Sequence, residues 1–498
     1  MENRKTKIVS VIAIVAFALT IITATYAYFN AQVGDAAAAD IKVNANTVDT
    51  FTFATGSQIS FNINQENFAS GTGNQSGSTF ASALLTANNK TNTATEHYYL
   101  YLNIENNSFT YSIDNSTPEI IMTVTDSSGN EVTNISTLNH VIVTGANGTQ
   151  VSGYDITSKS GVITLLNNRE ITTTSSKEEK WNVTITFVNY DQNQKANAGK
   201  SMSAKLMIQS TKIPETIADV CSSGDNLATC LATLSSKSAS SLSKIYYHDS
   251  NLENGAGDNS YRYAGASSEV NNYLYFSGVT DRFQWGYYRI IGVFNGQVKL
   301  ITQNFLTDSP PWDNNSSNTW SAATSNALLN GSSFLTYLGD TANKIATTTW
   351  KVGGNTWNNI GQKKASIAYQ NEINSPTPGS NSSTGETEYP AKIGLMYVSD
   401  YGFAADPIAW KYVLNGYGST ASNGIAVSNQ NWLFNGNYEW TITRVSDVAR
   451  SVFQIHNTGL IRSAPVINAG LMRPTFYLNG DVTYVSGTGT SSDPILVS

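Results

Sequence analysis

Asp400 in "GLMYVSDYG" and Glu439 in "NYEWTITR" are the two carboxylates that a glycoside hydrolase would require, one as general acid and one as nucleophile or base. Such a pair works only if the fold holds the groups about 5–10 Å apart, and the sequence leaves their separation open. Other catalytic chemistry is harder to assemble. A Ser-His-Asp hydrolase would need His248 or His456 as its base, yet no Gly-x-Ser-x-Gly elbow is present. His456, in "VFQIHNTG", reads as a strand-end residue. The stretches "GGNTWNN" and "GTGTSSDP" carry glycines but lack the following helix and Lys of a phosphate loop.

Metal chemistry finds few ligands. The four His residues, at 97, 140, 248 and 456, are scattered, and none lies near Cys221 or Cys230, so a zinc site is disfavoured. The two cysteines, in "CSSGDNLATC", either close a small disulfide loop or remain separate thiols. Asp313, Asn314 and Asn315 offer oxygens of the type calcium takes, but no metal and no cofactor is expected.

Binding is the better expectation. Trp312 in "SPPWDNN", Trp357 in "GGNTWNN", Trp410 and Trp432 are read as exposed loop aromatics with Asn or Asp nearby. Aromatic plates beside amides and carboxylates match the CH faces and hydroxyls of a sugar ring. On the run 439–444, Glu439, Thr441 and Thr443 share one face, and Trp440, Ile442 and Arg444 the other. The competing structural reading puts Trp440 in the core, pairs Arg444 with an internal carboxylate such as Asp400, and makes Arg473 structural. The candidate ligand-binding set is Trp312, Trp357, Trp410, Trp432, Asp400, Glu439 and Arg444.

The elements that must position these residues are mainly strands. With 498 residues the chain exceeds one hydrophobic core, so two or three domains are expected. Only 13% of residues are charged, while 40% are hydrophobic and 11% aromatic, a composition that folds. The net charge of −7 excludes a nucleic-acid binder, which needs a basic face. Stretches such as "ATEHYYLYLNIENN" and "EKWNVTITFVNYD" alternate apolar and polar residues, as half-buried strands do. In the second, Trp181, Val183, Ile185 and Phe187 point one way. Residues 28–212 therefore read as an antiparallel β-sandwich. Residues 213–245 read as a short helix and a Ser-rich linker. Residues 246–498 read as a mixed α+β module, with a hairpin turning at Asn295-Gly296 and a strand holding Tyr397, Ser399 and Asp400.

Residues 1–27 begin with Arg4, Lys5 and Lys7 and continue with a mostly apolar run, as a signal peptide or a membrane anchor does. Thr25 and Ala27 are the small residues that a cut before Tyr28 would require. Either fate places the rest of the chain outside the membrane. "ATYAYFNAQVG" resembles the leader exit of TasA and camelysin-type secreted proteins of Gram-positive bacteria, which implies cleavage between Ala27 and Tyr28 and a sandwich of that type after it. The ordered set "NWLFNGNYEWTITR", "MRPTFYL" and "GTGTSSDP" is similar to C-terminal modules of surface proteins from gut Firmicutes. Through them it resembles C-type-lectin-like folds and formylglycine-generating enzymes. Both cysteines precede the module, so the cysteine chemistry of the latter is not implied.

The resulting expectation is a non-catalytic, exported cell-surface or matrix protein with structural and adhesive roles. Its partners would be a surface glycan or protein, the membrane if the leader is retained, and further copies of itself. Two alternatives stand beside it: a surface glycan hydrolase using Asp400 and Glu439, and a fibre subunit that donates its N-terminal strand to a neighbour.

Overall fold

A computed structural model describes residues 49–64, 72–88, 92–135, 137–276, 287–306, 309–380, 385–418 and 426–498. Residues 1–27, expected to be a signal peptide or membrane anchor, and the expected cut between Ala27 and Tyr28 lie outside the described residues. Among the described residues no helix is long and apolar enough to cross a membrane. The chain is mainly β, as its composition predicts, and it divides into two units at the Lys212/Ile213 junction.

The first unit contains β1 (Thr50–Thr55), β2 (Ile59–Ile63), β3 (Gln75–Thr86), β4 (Ala94–Asn107), β5 (Ile120–Asp126), β6 (His140–Thr144), β7 (Gln150–Asp155), β8 (Gly161–Thr173), β9 (Ser176–Phe187) and β10 (Lys200–Gln209). They form two antiparallel sheets, ordered β1-β3-β9-β5-β7-β6 and β2-β10-β4-β8. Leu85, Ile120, Met122, Val183 and Ile185 from the first sheet share one core with Tyr98, Leu100, Leu102 and Met202 from the second. The alternation read over β9 is present, with Trp181, Val183, Ile185 and Phe187 all buried. A polar clasp also joins the two sheets. The Tyr98 hydroxyl donates to Glu179 (2.7 Å) and accepts from the Trp181 indole (2.7 Å), while Arg169 grips the same Glu179 with two N–H groups.

The second unit starts earlier than its composition suggests. Residues 213–245 are not a spacer: the helix Leu227–Lys237 buries Leu227, Cys230, Leu231 and Leu234 in this unit's core. The i, i+4, i+7 spacing of those leucines makes an apolar stripe that needs a packed partner. The helix is capped by Asn226, whose Oδ1 accepts the Thr229 N–H at 3.1 Å. Cys221 and Cys230 are joined in a disulfide that ties this helix to the preceding turn.

The remaining strands are β11 (Ile245–His248), β12 (Ser260–Tyr263), β13 (Tyr273–Phe276), β14 (Tyr288–Phe294), β15 (Gln297–Thr302), β16 (Thr348–Lys351), β17 (Glu388–Ala391), β18 (Ile393–Gly394), β19 (Glu439–Arg444), β20 (Ser451–Ile455), β21 (Ile461–Pro465), β22 (Thr475–Tyr477), β23 (Tyr484–Ser486) and β24 (Ile495–Val497). The main sheet runs β18-β22-β15-β14-β13-β24-β23, with β12 also pairing β14 and β11 pairing β12. Strand β24 joins β13 in parallel. The β14–β15 hairpin turns at Asn295 and Gly296, both with positive φ, as a two-residue type I′ loop requires.

One local expectation changes. Tyr397–Asp400 is not a strand: the helix Val398–Ala404 begins there, and the Asp400 carboxylate accepts the Tyr397 N–H (2.8 Å) across its first turn. Strand β19 is buried along its whole length, from Glu439 to Arg444.

Candidate functional site

Three of the four tryptophans expected in exposed loops are core residues. Trp312, Trp410 and Trp432 are 0%, 1% and 3% exposed. Their indole N–H groups donate to the carbonyls of Thr441 (3.0 Å), Ala405 (2.9 Å) and Tyr263 (2.9 Å). Each therefore pins an irregular segment onto the core, and none is free to stack on a ligand. Trp357 is half-buried and stacks on Phe453, with ring centroids 6.0 Å apart. Their Asn- and Asp-rich surroundings suggested exposure, but those polar neighbours serve as loop caps. Asp313, for instance, accepts the N–H groups of Asn315, Ser317 and Thr324.

Asp400 and Glu439 are both buried, and each is matched with its own cation. Glu439 takes Arg473 Nε on Oε1 (2.7 Å) and Arg473 Nη2 on Oε2 (2.9 Å). Asp400 takes Lys299 Nζ on Oδ2 at 2.5 Å, with Arg262 Nη1 3.9 Å from Oδ1. Arg444 does not pair with Asp400; it donates to the backbone carbonyls of Gly353 and Glu386. Trp440 is in the core. Of the candidate binding set, only Asp400 lines the cavity described next.

That cavity, of about 190 Å³, lies in the second unit and is lined by the hairpin β14–β15, strands β12, β16 and β22, and the segments around Tyr369 and Tyr397. At roughly 30 Å³ per water it holds about six waters, less than the space a drug-sized ligand fills. Its charged lining is Asp258, Arg262, Lys299, Lys351 and Asp400. Its aromatic lining is Phe294, Tyr369, Tyr397 and Tyr477. Of its neutral polar side chains, Asn295, Gln297, Thr348 and Thr349 are exposed or half-buried, whereas Ser260 and Ser399, like Lys299 and Asp400, are buried.

Asp258, Arg262, Asp400 and Lys299 form an interlocked set, while Lys351 pairs with the exposed Glu388. Arg262 donates through Nη2 to Asp258 (2.6 Å) and through Nε to the Ser260 hydroxyl (2.8 Å). It also lies against the rings of Phe294 (4.6 Å) and Phe403 (4.8 Å). Burial pushes the Asp258 carboxyl up, but the Arg262 guanidinium and the Ser260 and Tyr369 hydroxyls outweigh it and hold the group down at about 2. Burial pulls the Lys299 amine below its usual range, more than the attraction of Asp400 restores. Glu372 stands just behind: its carboxylate accepts the N–H groups of Val398 (3.2 Å) and Ser399 (2.7 Å) and the Thr443 hydroxyl (2.7 Å). Desolvation outweighs these bonds and pushes its carboxyl up to about 7. The hydroxyls of Tyr397, Tyr477 and Tyr369 are all raised by burial, so they enter this network as neutral phenols.

Neither histidine of this unit is placed as a base. His248 is fully buried; its Nδ1 accepts the Ala256 N–H, and burial, with Arg262 nearby, keeps the ring neutral. His456 follows β20 and binds the Thr458 hydroxyl through Nδ1 (2.8 Å). A second, shallower hollow of about 550 Å³ in the first unit is lined by neutral groups such as Asn74, Ser76, Thr123, Gln150 and Ser152.

Arg262, Lys299, Glu372 and Asp258 were not singled out from the sequence. One signal was available: Lys299 sits between apolar residues in the strand "VKLI", where a buried cation demands a partner. Comparison of the chain with protein-family models, curated proteins and solved structures returns no match.

Proposed function

We propose that this chain is an exported surface protein whose second unit recognises a small polar ligand, of sugar-ring size, without turning it over. The observation that carries the reading is the cavity itself: aromatic walls from Phe294, Tyr369 and Tyr477 beside neutral amides and hydroxyls from Asn295, Gln297 and Thr348. Aromatic faces pack against sugar CH groups, and amides and hydroxyls exchange hydrogen bonds with sugar hydroxyls. The charged floor is already compensated internally, so it rigidifies the cavity without demanding an ionic ligand. A hydrolase gains no support from this arrangement, because Glu439 is held by Arg473 and does not line the cavity. The charge-poor composition, the leader-like start and the resemblance to secreted Gram-positive proteins support a location at the cell surface.

The test is a glycan array probed with the purified chain, followed by titration of the best monosaccharide. Gln297→Ala and Thr348→Val should each weaken binding roughly fivefold, the equivalent of one neutral hydrogen bond at about 1 kcal/mol. Unchanged affinity in both variants, or release of a cleaved product, would refute the reading.

A further inference from the structure

Lys299 and Asp400 touch in a setting where an ion pair is expensive to keep. Nζ lies 2.5 Å from Oδ2, and the two side chains are 1% and 2% exposed. They come from β15 and from the first turn of helix Val398–Ala404, 101 residues apart in the chain. The rings of Tyr397 (4.3 Å), Tyr477 (5.3 Å), Phe294 (5.5 Å) and Trp350 (5.5 Å) stand around the ammonium. We propose that Lys299 and Asp400 condense to an intramolecular isopeptide bond, which joins β15 covalently to the helix Val398–Ala404.

The step is a dehydration and balances without any co-reactant. The ammonium passes one proton to the carboxylate, and the neutral Nζ then attacks Cγ to form the C–N bond. The Cγ–O bond breaks, and the hydroxyl leaves as water with a second proton from the nitrogen. Four features of the site favour this course. Two buried opposite charges carry a desolvation cost that a neutral amide does not. Burial lowers the affinity of the Lys299 amine for its proton, which increases the nucleophilic form. The Tyr397 N–H on Oδ2 (2.8 Å) and Arg262 near Oδ1 (3.9 Å) stand where negative charge builds up on the tetrahedral carbon's oxygens. Glu372, anchored on the two residues before Asp400, is a third carboxyl that exchanges its proton near neutral pH. Afterwards Arg262 keeps Asp258 as its partner, so no lone charge is left behind. The inference does not depend on the cavity taking a ligand.

The experiment is tryptic mapping of the full chain, purified folded and then reduced and denatured. A crosslinked chain is not cut at Lys299, so the peptide 290–344 appears joined to 393–411, with a total mass one water below their sum. Lys299→Arg, which keeps a cation beside Asp400 but lacks the amine, should give only linear peptides. Free 290–299 and 300–344 as the sole products from folded wild-type protein overturn the proposal, whether or not the variant folds. A dehydrated but linear 393–411 also overturns it, because that product is a cyclised Asp rather than a bond to Lys299.

Discussion

Trp432 donates its indole N–H to the Tyr263 carbonyl and lies against the Arg289 guanidinium, 4.8 Å from its ring centroid. Truncating it removes packing, a hydrogen bond and a cation–π contact together. Trp432→Ala should therefore cost about 3–5 kcal/mol of stability in urea denaturation, an effect visible with no ligand present. Glu372 ties the stability of the fold to pH. Its folded pKa is raised from 4.5 to about 7 by burial, so the stability tied to its protonation is fully present below 4.5. That stability is lost as pH rises towards 7, and for a shift of this size the loss is about 3 kcal/mol. Comparison of wild type with Glu372→Gln should show a steeper decline between pH 4.5 and 7 in the wild type; parallel profiles would contradict the assignment. At this scale the sequence was only partly legible. Residue types such as Trp beside Asn suggested exposed stacking plates, yet whether an indole caps a carbonyl or faces solvent depends on long-range packing. Asp400 was picked out by type, but its partner Lys299 lies 101 residues away, a distance that local pattern cannot bridge.

The helix Leu227–Lys237 has a local pattern that is legible and a packing partner that is not. Its existence followed from leucine spacing, but the Ser-rich flank hid its membership of the second unit's core. The disulfide Cys221–Cys230 closes a short loop at the helix start, with a sequence separation of 9. Removing it with Cys221→Ser plus Cys230→Ser should destabilise the second unit by about 2–3 kcal/mol, the chain-entropy value for a loop of that size. Calorimetric melting of the double variant checks this, and an unchanged transition would show that core packing alone holds the helix. Strands with strict alternation, such as β9, and the Asn295-Gly296 hairpin are legible in the sequence, because period and turn chemistry are local. The stretch Tyr397–Asp400 went to helix because Asp400 caps its own first turn, a choice β-rich neighbours obscured.

At the scale of the whole molecule, composition predicted a mainly β chain of more than one unit, since amino-acid class averages over many contacts. The proposed placement at the cell surface rests on the leader-like start of the sequence and the charge-poor composition, and self-assembly is a separable question. Among the described residues of the first unit β1, β2, β6 and β8 lie at the ends of the sheet orders, and Ile142 on β6 is 66% exposed; a sheet edge is where an added strand docks. If an N-terminal strand is donated between copies, a chain lacking residues 28–40 should stay a folded monomer in light scattering where the complete chain polymerises. Polymers unaffected by that deletion would refute strand donation.

Recognition by the second unit is tested most directly by closing its cavity. Thr349 is exposed on β16 and lines the cavity, so Thr349→Trp places an indole across the space while leaving the buried side chains Arg262, Lys299 and Asp400 in place. Calorimetric titration with the best sugar from the array should give measurable heat for the wild type and none for Thr349→Trp at equal thermal stability. Equal binding by both proteins would place the ligand elsewhere and contradict the central claim.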